Sequence, residues 1–223
     1  MSQDRREFLG TLMAAGLAPG VMGSTLSGDR PNGAVQSAPF DLTWPNKITG
    51  KYRAVFDSVE ISMGLGLIRA LIWIKDYADM YGAKPAEMSP VVVLRHNAIW
   101  QIMNDEFWAH HGIGKLTGIA DPATRAPITR NPVMGANPFG LPAALADDSL
   151  RRVMAAGTVL ACNLAFTLDV VEKIKQDEKL DDAKAREMAI RHIVPGVLLQ
   201  PSGVFAALRA QEAGCHYLLA TDA

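Results

Sequence analysis

From residue 51 onward, short apolar runs of strand type alternate with longer segments of helical periodicity. One run, residues 91–95, opens after Pro90 and has the continuous apolar pattern of a strand buried on both faces of a sheet. Five such strands with helical crossovers predict an open, mainly parallel sheet covered on both faces. The expected fold class is α/β, a three-layer α/β/α domain. The predicted strands are residues 52–58, 91–95, 158–161, 197–200 and 216–220.

Helical segments fill the intervals between these strands. Residues 63–81 carry a wide apolar stripe at helical spacing and end at Gly82, and Ser202 has the position of an N-cap for a later helix. Reactive groups in open α/β sheets gather at the carboxyl ends of the strands, so the functional residues are expected there. The predicted helices are residues 63–81, 98–111, 149–156, 167–178, 182–192 and 203–213.

Size and charge limit the class of protein. The chain has 223 residues with 22 basic and 23 acidic side chains, a net charge of -1. That length fits one globular domain plus an appendage, and the composition argues against disorder and against a polytopic membrane protein. A nearly neutral chain lacks the positive surface that non-specific nucleic-acid binding requires. No nucleic-acid partner is therefore expected.

The amino-terminal segment has the pattern of an export signal. Arg5 and Arg6 precede Phe8 and Leu9, and a charge-free stretch covers residues 8–28. This order resembles a twin-arginine signal, which predicts a periplasmic protein. A membrane anchor is the alternative, but glycines and a proline interrupt the stretch, so contact with the membrane is expected only through an uncleaved signal. The predicted organisation is a signal and the start of a linker at 1–38, a linker at 39–50 and a domain at 51–223.

A proline-rich segment at residues 117–143 interrupts the alternation of strands and helices. Its prolines and glycines exclude a long helix or a central strand. Long loops in compact domains are uncommon, and many have a function. Two interpretations stay open: a loop packed on the domain or on a neighbouring subunit, or a lid. The prolines are Pro122, Pro127, Pro132, Pro138 and Pro142.

Cys162 follows an apolar strand and precedes a helix. Its sulfur is expected to face the helix amino terminus, an environment that favours the nucleophilic thiolate. The alternative is a small buried hydrophobe, the usual state of a free cysteine. A disulfide with Cys215 is not expected, because Cys162 ends a strand and Cys215 begins one. The two residues should therefore lie at opposite edges of the sheet, farther apart than the roughly 7 Å Cα separation that a disulfide allows. We predict two free thiols.

Several motifs of the downstream half occur in a fixed order. They are a cysteine after an apolar strand, Pro-Gly-Val before the next strand, Ser-Gly at a helix start, and a Gln-x-x-Gly-x-x-Tyr finish. A histidine, His96, also follows the second strand. This set resembles the DsrE-like family of small sulfur-relay and related proteins, over about residues 52–220. The motif residues are Cys162, Pro195, Gly196, Val197, Ser202, Gly203, Gln211, Gly214 and Tyr217.

The resemblance implies a function. Cys162 would carry sulfur as a persulfide, received from a donor protein and passed to an acceptor, with His96 as a weaker candidate for proton transfer. It also implies a homo-oligomer, and such chemistry needs neither a metal nor another cofactor. The proline-rich segment and the charged stretch at 172–191 depart from compact members of the family. The alternative function is a non-catalytic periplasmic binding or assembly module on the same fold.

Two further patterns have the residue types of a binding site. Glu106 and His110 lie one helical turn apart, with His111 adjacent, a spacing that can hold a metal but lacks further ligands. A solvated helix end is the expected state of this group. Gly64 and Gly66 follow the first strand, but Arg69 occupies the third glycine position of a dinucleotide motif. That segment is therefore expected to be a helix start.

Overall fold

The computed structural model describes residues 40–220, and its centre is a five-stranded parallel sheet. The strand order is β4-β3-β2-β1-β5, and each neighbouring pair is parallel. The predicted α/β class with three layers is confirmed. The strands are β1 (Tyr52–Ser58), β2 (Met88–Leu94), β3 (Thr158–Cys162), β4 (Leu198–Gln200) and β5 (His216–Leu219).

Helices connect every pair of consecutive strands. Three segments after β3 follow one another without a break: α6 (Asn163–Ala165), a π-helical stretch (Phe166–Val171) and α7 (Glu172–Glu178). Short 3-10 helices occupy Trp44–Lys47, Ser62–Gly64, Pro85–Glu87 and His96–Ile102. The remaining α-helices are α1 (Leu65–Tyr81), α2 (Asp105–His110), α3 (Ile113–Thr117), α4 (Ala143–Ala146), α5 (Ser149–Ala156), α8 (Asp182–Arg191) and α9 (Gly203–Glu212).

The strand side chains alternate between two apolar layers, as expected for a sheet covered on both faces. The larger layer includes buried residues of α1, α5, α8 and the π-helical stretch. The smaller layer lies under α9 and the 3-10 helix at Trp44–Lys47. Strand residues Ala54, Phe56, Val92, Leu94, Val159 and Ala161 face the larger layer, and Val55, Val91, Val93 and Leu160 face the smaller one.

Residues upstream of residue 51 contact the domain. Trp44 is fully buried, and its indole Nε1–H donates a hydrogen bond to Oε1 of Gln200 at 3.0 Å. The Gln200 amide in turn donates to the backbone oxygen of Asp41 at 2.9 Å. These bonds attach residues predicted to be a linker to the end of β4, because a buried indole needs both an apolar site and an acceptor.

The prediction of a single helix at residues 98–111 is wrong. A 3-10 helix ends at Ile102, Met103 is extended and forms an antiparallel bridge with Ile193, and α2 starts only after Asn104. The Asn104 side chain accepts a hydrogen bond from the Phe107 N–H at 2.9 Å. An N-cap of this kind begins a new helix inside an apolar pattern that otherwise looks continuous.

The proline-rich segment packs on the domain. Ile128, Val133 and Met134 are buried in the larger layer. Asn131 is fully buried, and its amide donates to the backbone oxygens of Gln101 and Met103, each at 2.7 Å. In the structure this segment is therefore a loop packed on the domain.

The predicted twin-arginine signal lies outside the described residues. Within residues 40–220, no helix combines the length and the apolar character that crossing a bilayer requires.

Candidate functional site at the carboxyl edge of the sheet

Cys162 is the last residue of β3 and the N-cap of the helical segment that follows. Its Sγ accepts a hydrogen bond from the backbone N–H of Ala165 at 3.4 Å. In the sheet, Cys162 lies opposite Gln200 of β4. The thiol is thus at the carboxyl edge of the sheet and at the start of a helical segment, the end that carries positive partial charge.

An arginine lies beside the first turn of this helix. Nη2 of Arg186 donates to Oδ1 of Asn163 at 2.6 Å, and Nη1 donates to the Thr167 hydroxyl at 3.1 Å. The guanidinium also lies over the Phe166 ring, 5.5 Å from its centroid. A fixed positive charge therefore stands next to the residue that follows Cys162.

Solvent access to the thiol is small. Cys162 is 6% exposed and belongs to the larger apolar layer. Leu164 and Leu168, one turn apart on the same helical segment, are 43% and 45% exposed. The nearly closed thiol is therefore followed along the chain by apolar side chains exposed to solvent.

His96 lies at the same edge of the sheet, just after β2. Leu94 pairs with Ala161, so His96 is one residue beyond the level of Cys162. It is exposed, and its backbone has a φ of 49°, in the left-handed region. Among the described residues, no hydrogen bond joins His96 to the thiol, although both lie at one edge of the sheet.

The sequence reasoning missed a buried polar group at this edge. Asp57 of β1 is 2% exposed, and its two oxygens accept hydrogen bonds from Arg95. The Tyr217 hydroxyl of β5 donates to Oδ2 of the same carboxylate at 2.7 Å. Burial, followed by this bond to Asp57, raises the pKa of Tyr217, while the Asp57 carboxylate raises the pKa of Arg95. The sequence signal for this buried group is a single aspartate among the apolar residues of β1.

The second cysteine has a different environment. Cys215 lies just before β5, at the opposite end of the strands from Cys162, and both cysteines are buried free thiols. Burial raises the pKa of Cys215 to about 11, and the nearby Arg53 charge only partly opposes this. Cys215 is therefore a protonated, unreactive thiol at neutral pH.

Other motif residues have structural roles. The Ser202 hydroxyl accepts a hydrogen bond from Phe205 N–H at 3.1 Å and so caps α9. Gly203 lies against the Arg95 side chain, where a Cβ would approach Arg95 Cδ to 2.5 Å. Gly196 has a φ of 103°, a conformation that favours glycine. These roles explain the fold without requiring chemistry at these positions.

A second cluster joins the ends of α2 and α7. Nε2 of His110 lies 2.7 Å from Oε1 of Glu178, and Nδ1 of His111 lies 2.7 Å from Oδ2 of Asp177. Burial lowers the pKa of His111, and the hydrogen bond to Asp177 opposes that effect. Glu106, the partner considered from the sequence, instead lies 3.9 Å from Nδ1 of His192. No local sequence pattern joins His110 to Glu178, since they are 68 residues apart.

Besides the buried group of Asp57, Arg95 and Tyr217, the described part of the chain offers two chemically distinct groups. The first is a thiol at a helix start, and the second is a pair of imidazoles facing carboxylates. Comparison with known proteins gives no match to this chain among family models, curated proteins or solved structures.

Proposed function

We propose that the chain is an exported DsrE-like protein that carries sulfur on Cys162. The observation that carries the proposal is the hydrogen bond from Ala165 N–H to the Cys162 Sγ at the start of a helical segment. Backbone N–H groups in that position stabilise a thiolate and the anionic persulfide that it would become. The motif set shared with the DsrE-like family supports the same residue.

The proposed transfer needs no oxidant. The thiol of Cys162 releases its proton, and the thiolate attacks the outer sulfur of a donor persulfide. An Sγ–S bond forms as the donor's S–S bond breaks, and the donor leaves as a thiolate that takes up a proton. Attack by an acceptor thiolate on the same outer sulfur reverses the sequence. His96, exposed at the same edge, is the proposed proton carrier for the donor or acceptor side.

The apolar surface near the thiol supports a protein as donor or acceptor. Leu164 and Leu168 are exposed on the first turns after Cys162, and an apolar face of this kind suits a partner protein or a second copy of the chain. Docking there would bring a partner's sulfur close to a thiol that is otherwise nearly closed to solvent.

The second candidate function is a non-catalytic periplasmic binding or assembly module. The specific observation in its favour is the 6% exposure of Cys162, which is typical of a structural cysteine. In this case the hydrogen bond from Ala165 caps a helix, and the exposed leucines form a binding surface only.

Sulfur loading separates the two candidates. The full chain is incubated with a low-molecular-weight polysulfide, trapped with an alkylating agent and weighed intact. Carriage predicts a gain of one sulfur atom in the wild type and in Cys215→Ser, and its loss in Cys162→Ala. Circular dichroism checks that each variant is folded. An unmodified Cys162 that also resists alkylation until urea is added would favour the binding module.

Export has its own test. The variant with Arg5→Lys and Arg6→Lys is expected to stay in the cytoplasm of a host with a twin-arginine translocase, whereas the wild type reaches the periplasm. Equal periplasmic recovery of the two proteins would contradict the proposed route. A variant with Arg151→Lys and Arg152→Lys, on the exposed face of α5, controls for the chemical change.

A further inference from the structure

Two helix ends meet at a cluster of metal-ligating side chains. α2 ends at His110, with His111 next, and α7 ends at Glu178. One ring nitrogen from each histidine and one oxygen of Glu178 all lie within 4.8 Å of one another. Two imidazoles and one carboxylate are a ligand set that zinc uses where a fourth position stays open to water.

We propose that His110, His111 and Glu178 bind one divalent transition-metal ion, with Zn²⁺ as the best match. Oxygen-rich sites suit Mg²⁺ and Ca²⁺, whereas imidazole nitrogen favours the later first-row metals. The site is separate from the sulfur chemistry proposed for Cys162, and it requires neither cysteine.

The two exposed ligands can adjust to the distances of a zinc site. Zinc bonds of about 2.0 to 2.1 Å place tetrahedral ligand atoms roughly 3.4 Å apart. His110 and Glu178, now hydrogen-bonded at 2.7 Å, have side chains that are 63% and 32% exposed, so both can rotate without disturbing the core. A metal ion would replace their hydrogen bond.

His111 is the fixed ligand. Its side chain is 2% exposed, and its ring packs against Phe107 with centroids 4.4 Å apart. Asp177 engages Nδ1 at 2.7 Å, and Lys173 Nζ contacts both Asp177 oxygens at 2.6 Å. Donation from Nδ1–H to the Asp177 carboxylate leaves the Nε2 lone pair free, and Nε2 is the nitrogen proposed to coordinate, the usual arrangement around protein-bound zinc.

The local charge also suits a cation. The carboxylates of Asp177 and Glu178 face the two imidazoles, and one ammonium, Lys173, contacts Asp177. The carbonyl ends of α2 and α7 add negative partial charge at the same place. The exposed His110 side chain leaves the site open to an ion from solution.

Zinc titration of the purified full chain tests the site. Isothermal calorimetry should give one Zn²⁺ per chain with micromolar or tighter affinity. Cobalt(II) should give the visible bands of tetrahedral coordination without a thiolate charge-transfer band, because neither cysteine is a ligand. Absence of saturable binding, or a thiolate band, would overturn the proposal.

Variants assign the ligands. His110→Ala and Glu178→Gln are at the surface and should fold, and each should weaken zinc binding at least tenfold. Asp177→Asn should weaken it less, through the orientation of His111. His216→Ala removes an exposed histidine at β5, and Cys162→Ala removes the reactive thiol; both should bind as the wild type does. Unchanged affinity in His110→Ala and Glu178→Gln would show that the cluster is a hydrogen-bonded helix junction only.

Discussion

The carboxylate of Asp57 and the guanidinium of Arg95 form a two-point ion pair across neighbouring strands. The Nε–Oδ1 and Nη2–Oδ2 distances are 2.8 and 2.9 Å. Tyr217 donates a third hydrogen bond to the same carboxylate. Since Asp57 lies in β1, Arg95 follows β2 and Tyr217 lies in β5, the three side chains link three neighbouring strands.

Removal of the cation should destabilise the domain strongly. Arg95→Met leaves the buried Asp57 carboxylate without its counter-charge and should lower the free energy of unfolding by about 3 to 5 kcal/mol. Tyr217→Phe removes one hydrogen bond and should cost about 1 kcal/mol. Urea denaturation measures both, and the double variant Asp57→Asn with Arg95→Met should recover part of the loss. A cost below that of Tyr217→Phe would contradict the role of the pair.

Stability should depend on pH through Asp169. Burial raises the pKa of Asp169 from 3.8 to about 6, so the folded chain holds a proton there that the unfolded chain releases. The contribution of Asp169 to the free energy of unfolding is therefore most favourable below about pH 4, and it is lost as the pH rises from about 4 to 6. Asp169→Asn removes the cost of the buried charge.

The expected gain for Asp169→Asn is about 1 to 2 kcal/mol at pH 7.5, after allowance for solvent screening, and close to zero at pH 3.5. Urea titrations at the two pH values measure the difference. The exposed carboxylate Glu187 provides the control: Glu187→Gln should show no gain of this size. A constant difference between wild type and Asp169→Asn at both pH values would refute the linkage.

The packed state of the proline-rich segment depends on Asn131. Its amide satisfies the backbone oxygens of Gln101 and Met103, and its Oδ1 accepts from Val133 N–H at 3.1 Å. Asn131→Ala leaves these buried groups unpaired and should cost about 2 to 4 kcal/mol. Proteolysis between residues 117 and 143 should accelerate as well.

Asn137 offers the matched control. It lies in the same segment and is only half-buried. Its Nδ2 contacts are long, at 3.4 Å, and its Oδ1 accepts one hydrogen bond from Phe139 N–H at 3.0 Å. Asn137→Ala should cost less than half as much as Asn131→Ala in urea denaturation. Similar losses for the two variants would indicate that general loop composition, and not the Asn131 bonds, holds the segment on the domain.

The start of β3 tolerates no side chain at residue 157. A Cβ on Gly157 would lie 2.1 Å from the backbone oxygen of Pro90, in the adjacent strand β2. Gly157→Ala must therefore push β2 and β3 apart and should cost about 1 to 3 kcal/mol. Ala155→Ser, at an exposed position of α5, should change stability little. Thermal unfolding compares the two, and an unchanged melting temperature for Gly157→Ala would contradict the close approach.

Local patterns predicted much of the fold. The bounds of β1 and α5 agree with the prediction, and Ser202 caps α9 as expected. Each of these elements depends on short-range signals: apolar runs, helical spacing and a capping hydroxyl. The break at Asn104 was not predicted because apolar residues recur at helical spacing on both sides of it, and the Met103–Ile193 bridge joins distant parts of the chain.

Local patterns predicted less of the sites. The N-cap position of Cys162 follows from its place between a strand and a helix, but its burial depends on packing across the larger layer. The contact between His110 and Glu178 and the packing of Trp44 against Gln200 join distant parts of the chain. Only the folded topology brings such pairs together.

The position of β5 has a consequence for how the domain assembles. β1 is the first strand in the chain, yet one of its two neighbours in the sheet is the last strand, β5. The hydroxyl that donates to Asp57 belongs to Tyr217, 160 residues away. Parallel pairing of two strands so far apart in sequence forms late and slowly in folding. A ribosome must release nearly the whole chain before this sheet can be completed, and a nascent chain cut short before β5 would present an open strand edge to its neighbours.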